Sequence, residues 1–219
     1  MDILLVAGLW LDGSAWDDVA SALTPLGHRP VPLTLPGQGD GSTSATLDDQ
    51  VAAVLAAVDS ASGKPMVVGH SAACTLAWLA ADARPEQVAK VALIGGFPSA
   101  DGASYADFFE LTDGVMPFPG WGPFEGPDSA DLDEAARRSI AAAAIPVPAG
   151  VAKGPSRHRD GPGTAPAMTA VTTLWTAPAS GGVAVRSANS RWPAPIRVGA
   201  SVSTSASAAR RPSSRSLVR

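Results

Sequence analysis

Apolar positions in the first hundred residues alternate between two rhythms. Short continuous runs stand at Ile3-Leu4-Leu5-Val6-Ala7, Val31-Pro32-Leu33-Thr34-Leu35, Pro65-Met66-Val67-Val68 and 88–95. Each has the length of a strand buried on both faces and falls well short of the roughly 18 residues of a membrane span. Between these runs the apolar residues recur at helical spacing. Trp16, Val19, Ala20 and Leu23 follow Ser14-Ala15-Trp16-Asp17, with Gly27 as terminator, and Leu47, Val51, Val54, Leu55 and Val58 follow Thr46-Leu47-Asp48-Asp49. Both tetrads have the form of a capping box, in which a hydroxyl and a carboxylate satisfy each other's backbone amides at a helix start. A third helix is expected from Ala72 to about Ala83. Strands alternating with helices in this way predict an α/β protein, with a mostly parallel sheet flanked by helices. Ligands of such sheets bind at the carboxyl ends of the strands.

The third strand ends in Gly69-His70-Ser71-Ala72-Ala73, where the third helix begins. A serine at the apex of a strand-turn-helix needs small neighbours, because its backbone is strained and strand and helix approach closely. Taken alone the serine reads equally as a helix N-cap. The pentapeptide resembles the nucleophile elbow G-x-S-x-G of α/β-hydrolases, with Ala73 at the position of the last glycine. Val6-Ala7-Gly8-Leu9-Trp10 is similar to that family's oxyanion loop, with Ala7 where a histidine is common. Leu35-Pro36-Gly37-Gln38-Gly39-Asp40 resembles its P-G-x-G loop. The three occur in the family's order. The resemblance implies an α/β-hydrolase fold with Ser71 as nucleophile and the backbone amides of Leu9 and Ala72 as the oxyanion hole. It implies a serine esterase or related acyl hydrolase working through an acyl-enzyme, with no metal and no organic cofactor.

The same resemblance asks for an acid and then a histidine after the serine. The histidines are His28, His70 and His158. His28 reads as a surface loop residue and His70 as the variable residue of the elbow. His158 alone lies downstream of Ser71, flanked by arginines and with no hydrophobic strand leading into it. Asp101, after the fourth strand, is the first candidate for the acid. A protein that keeps the pocket and elbow but lacks a competent base is the alternative reading.

Charge divides the chain near Gly150. Residues 1–150 hold 6 of the 16 Lys+Arg and 19 of the 20 Asp+Glu, a formal charge of −13, whereas 151–219 carry +9. The organisation expected is a hydrolase core over 1–98, a cap over 99–150 and a basic, poorly ordered low-complexity tail over 151–219. The sheet is then incomplete at its C-terminal edge, with the strand at 88–95 exposed. Thr169 to Trp175 and Ile196 to Val202 are the tail segments that read as extended. Out-of-frame translation of a GC-rich gene from near residues 150–155 would explain both the composition and the missing histidine. A basic tail that binds nucleic acid or an anionic surface is the rival reading, which its scattered arginines and sparse aromatics disfavour.

Between Phe97 and Phe124 lie all five phenylalanines, Tyr105 and Trp121. Such a cap either lines a site for a small apolar acyl or aromatic substrate or packs onto the sheet. At 46% hydrophobic and 16% charged, the composition is that of a soluble globular chain. The single cysteine, Cys74, excludes an internal disulfide and reads as a packing residue. With Asp2 ahead of the first apolar run, that run reads as a strand rather than a signal segment. A cytoplasmic protein with no membrane span and no nucleic-acid partner is expected.

Overall fold

A computed structural model describes residues 1–126, 129–159, 172–176 and 183–187, the last two segments as backbone. The first alternations form β1 (Asp2–Val6), α1 (Asp17–Leu23), β2 (Arg29–Leu33), α2 (Leu47–Asp59), β3 (Met66–His70), α3 (Cys74–Ala83) and β4 (Lys90–Ile94). The four strands make one sheet in the order β2-β1-β3-β4, every neighbouring pair parallel. Successive side chains of a strand point to opposite faces, and β1 divides accordingly. Leu4 and Val6 join Val54, Val58, Leu76 and Leu93 beneath α2 and α3. Ile3 and Leu5 join Trp16, Val68 and Ala92 on the α1 side. The continuous apolar runs of β1, β3 and β4 are therefore explained by burial on both faces, whereas β2, at the sheet's edge, is only half-buried.

The capping box of α2 forms as its sequence suggests. The Thr46 hydroxyl accepts from the Asp49 amide, and the Asp49 carboxylate accepts from the Thr46 amide. The box expected at Ser14 does not form. Asp12 accepts from both the amide and the hydroxyl of Ser14, nucleating a 3-10 turn over Gly13–Trp16 that delays the helix to Asp17. Trp16 still reaches the core, but Val19 turns outward and is 40% exposed.

Beyond β4 the chain forms β5 (Val115–Met116), α4 (Glu134–Ala143), β6 (Val147–Pro148) and α5 (Ala149–Ala152), with β5 and β6 antiparallel. Packing continues past Gly150, since Val151, Ala152 and Ser156 are buried. β7 (Thr172–Thr176) and β8 (Val183–Ser187) pair antiparallel, with β7 lying beside β4. The strand β7 overlaps the extended segment expected from Thr169. It does not join the main sheet, so β4 remains that sheet's terminal strand among the described residues. The expected extended segment Ile196 to Val202, and most of the tail expected to be poorly ordered, lie outside the described residues. Among the described residues no helix is long and apolar enough to cross a membrane.

Candidate active site

Ser71 stands at the carboxyl end of β3 with φ 54°, in the left-handed region that a non-glycine residue occupies at a cost of about 1–3 kcal/mol. A 3-10 turn over Ser71–Ala73 leads into α3, so the α-helix proper starts two residues later than Ala72. The glycine before the serine is required by contact. A β-carbon on Gly69 would lie 2.4 Å from the Ala73 carbonyl oxygen. Ala73 itself has φ −65° and ψ −6° and is fully buried. An ordinary right-handed conformation does not demand glycine, which is why alanine serves at this end of the elbow.

Two neighbouring loops close on the serine. A β-carbon on Gly8 would lie 3.0 Å from Ser71 Cβ, so the loop after β1, which carries Leu9, abuts Ser71. One on Gly96 would lie 2.3 Å from the Ser71 carbonyl oxygen, so the turn after β4 supports the elbow from behind. Among the described residues no backbone carbonyl accepts the Leu9 N–H. Ala72 lies in the first turn of the 3-10 helix, where the amide has no intrahelical acceptor. The Ser71 hydroxyl likewise has no side-chain partner among the described residues. Ser71 and the loop after β1 are thus in contact, and the Ser71 hydroxyl and the Leu9 amide have no protein partner among the described residues.

Trp10 fixes the loop after β1. Its φ is 62°, its Nε1 donates to the Met116 carbonyl at 3.1 Å, and its own carbonyl accepts from the Ile145 amide. Edge-on contacts to Phe109, Phe118 and Phe124 surround its ring. These aromatics, with Trp121 against Phe118 and Phe124, pack on the loop and on one another. Phe97 and Phe108 stay exposed. The residue pattern placed Trp10 in a motif but gave it no role, and did not mark Gly96 at all, because the importance of both comes from contacts distant in sequence.

Beside the loop lies a cavity of about 20 Å³ bounded by Gly8 to Leu11, the Gly37 turn, Gln50, Tyr105 and the Ile145–Pro148 segment. His70 points away from it, its ring edge-on to Trp16 and against Gly8. Burial lowers the His70 pKa and favours the neutral imidazole. Cys74 is buried under the elbow, and burial raises its thiol to about 11, so it stays protonated and inert. Groups of His, Cys, Asp and Glu able to hold a metal do not occur among the described residues.

The expected acid and base meet, but not as a relay to Ser71. Asp101 accepts from the backbone amide of His158 at 2.9 Å, not from its ring. Trp78 Nε1 donates to His158 Nδ1 at 3.3 Å, and His158 Nε2 faces the Ser99 carbonyl at 3.1 Å. A carbonyl can only accept, which places the ring proton on Nε2 and leaves neither nitrogen free for serine. The flanking segment is anchored too, through Arg157 to Asp48 and through the Arg159 amide to Asp82. His28 is half-buried, its Nδ1 without a partner among the described residues, rather than a freely solvated loop residue.

A parallel sheet covered on both faces, with a strained serine at a strand's carboxyl end and open amides beside it, defines an α/β-hydrolase architecture. The model of the alpha/beta hydrolase family matches residues 3–212, and the chain belongs to that family. The fold is similar to that of an extracellular α/β-hydrolase from a Paenibacillus species, described as sharing structural and functional homology with tobacco salicylic acid binding protein 2. That likeness has a TM-score of 0.68 at 20% identity and covers 80% of this chain and 77% of that one. A methylesterase protein from Arabidopsis is similar at TM-score 0.56 and 11% identity, over 73% and 72% of the two chains. A pyrethroid hydrolase is similar at TM-score 0.53 and 19% identity, again over 73% and 72%. No curated protein matches the sequence.

Proposed function

We propose that the chain is a serine hydrolase acting on an ester or related small acyl substrate. The Ser71 hydroxyl adds to the acyl carbon and gives its proton to solvent while the Leu9 and Ala72 amides receive the oxyanion; collapse of the adduct breaks the ester C–O bond and expels the alcohol with a proton from solvent, and water then attacks the acyl-enzyme, releasing the carboxylic acid and restoring Ser71. The observation that carries this reading is the Ser71 backbone at φ 54°, held by Gly8, Gly69 and Gly96 with two open amides beside it. Strain of that kind persists only where surrounding contacts impose it, and amides aimed at one point stabilise developing negative charge. Residues 1–98 then form the core and 99–150 its cap. Membership of the family and likeness to esterases support the same chemistry. A buried lone cysteine fits a cytoplasmic location, which cell fractionation would test.

The test is hydrolysis of p-nitrophenyl acetate by the purified protein and by Ser71→Ala. The expected outcome is an acyl adduct on Ser71 by intact mass and a loss of about 10³-fold or more in kcat/KM in the variant. Equal rates in the two proteins would contradict the assignment. A second reading, a pocket that binds without turnover, is favoured by the engagement of both His158 ring nitrogens. It predicts ligand binding with no adduct.

A further inference from the structure

The serine hydrolase reading leaves one step without a residue, the removal of the Ser71 proton, because both ring nitrogens of His158 are engaged. A second imidazole stands beside the elbow. In a continuing strand His70 and Ser71 would point to opposite faces, but the left-handed backbone at Ser71 ends the strand, and both side chains lie against Gly8. A β-carbon on Gly8 would lie 3.0 Å from Ser71 Cβ and 3.1 Å from His70 Nδ1, so those two atoms are at most about 6 Å apart. Two hydrogen bonds of about 2.8 Å through one water cover such a gap.

We propose that His70 is the proton acceptor for Ser71, reached through one water. The inference rests on the serine hydrolase reading. The ring is held for the role. Trp16 meets it edge-on, with 6.3 Å between ring centroids, and a β-carbon on Gly95 would lie 3.8 Å from Cδ2 and 3.9 Å from Nε2. The Nε2 edge therefore faces the turn after β4, and Nδ1 faces Gly8 and Ser71. Among the described residues no hydrogen bond within the protein engages either ring nitrogen, and the residue is partly buried rather than sealed from water. Gly8, Trp16 and Gly95, the residues against the ring, do not titrate. On the turn that carries Trp16, Asp12 is engaged with Ser14, and the next residue, Asp17, is exposed. Burial lowers the ring's pKa, so the neutral, accepting form is complete at neutral pH and is lost only below the ordinary value of about 6.5.

As Ser71 Oγ bonds to the acyl carbon, its proton passes to the water, and a proton of that water passes to Nδ1. When the ester C–O bond breaks, the imidazolium returns the proton by the same route to the departing alkoxide. A second water then attacks the acyl-enzyme and yields a proton to Nδ1, which goes back to Ser71 Oγ as its bond to carbon breaks.

The experiment follows p-nitrophenyl acetate hydrolysis from about pH 5 to pH 8 in the unaltered protein, His70→Gln, His70→Ala and Ser71→Ala. The unaltered kcat/KM should fall on the acid side of pH 6.5, and His70→Gln should lose about 100-fold or more together with that acid limb. Added imidazole should restore part of the rate to His70→Ala and none to Ser71→Ala beyond its own background. A His70→Gln protein with an unchanged urea midpoint and a rate within threefold of the unaltered one overturns the relay and leaves the hydrolase reading standing. A slower variant that keeps the acid limb means that His70 only packs the elbow, which also overturns it. Where His70→Gln does not fold, a flat profile in the unaltered protein is the contradicting result. Unaltered protein no faster than Ser71→Ala ends the hydrolase reading and the relay with it.

Discussion

The elbow at Gly69–Ala73 and the segment at 154–159 both carry residues with catalytic potential, and the fold treats them in opposite ways. Around Ser71 the hydroxyl and the Leu9 amide are unpaired among the described residues, and the backbone is held in a left-handed conformation. Around His158 the ring nitrogens, the amide and the flanking residues all have partners, in Trp78, Ser99, Asp101, Asp48 and Asp82. Groups poised for chemistry keep capacity open at a cost in stability, whereas groups used for packing spend that capacity within the fold. By this criterion Ser71 fits the nucleophile proposed for it, and His158 belongs to a clasp that ties residues 154–159 to α3 and the turn after β4.

The comparison breaks most readily at the elbow's backing. Gly96→Val places a side chain where even a β-carbon lies 2.3 Å from the Ser71 carbonyl, so backbone must move. Overpacking of this kind costs about 1–3 kcal/mol or more, and urea unfolding should register it together with loss of turnover. An unchanged midpoint with full turnover would mean that the loops do not impose the elbow. His158→Gln should cost about 1–2 kcal/mol in the same assay while the rate of Ser71 acylation changes by less than about threefold. A fall in acylation of a hundredfold in folded protein would instead make His158 the base and void the distinction.

Smaller effects sharpen the picture. Ala73→Gly restores the glycine more usual at that position of the elbow, but at a right-handed site beginning a helix. It should destabilise by about 0.5–1 kcal/mol without altering acylation. Asp2 is bound by Arg29 and by the Ser62 amide and hydroxyl, and those bonds hold its carboxyl well below the usual range. Its folded-state pKa is depressed, so the stabilisation is complete above the unfolded value of about 3.9 and fades as pH falls below it. Asp2→Asn should therefore flatten the loss of stability below about pH 4, measured by thermal unfolding across pH, and an unaltered slope would exclude this pair as a cause.

Sequence and structure agree where the determinants are local. Short continuous apolar runs, the Thr46–Asp49 box and the small residues around Ser71 each act over a few positions, so strands, α2 and elbow could be read directly. The Ser14 box failed because Asp12, two residues upstream, competes for the same amide. Val19 was misread for the same reason, its helix beginning a turn late. Gly96 and Trp10 matter through neighbours remote in sequence, Ser71 and the cap aromatics, and left no local signal. The role of His158 turned on Trp78 and Ser99, which no spacing rule connects to it.

The most direct measurement is intact and peptide mass spectrometry after incubation with a fluorophosphonate, for the unaltered protein beside Ser71→Ala and His158→Gln. The account predicts one adduct on Ser71, none in Ser71→Ala, and labelling of His158→Gln at close to the unaltered rate. Folded protein that takes no adduct at Ser71 would contradict it.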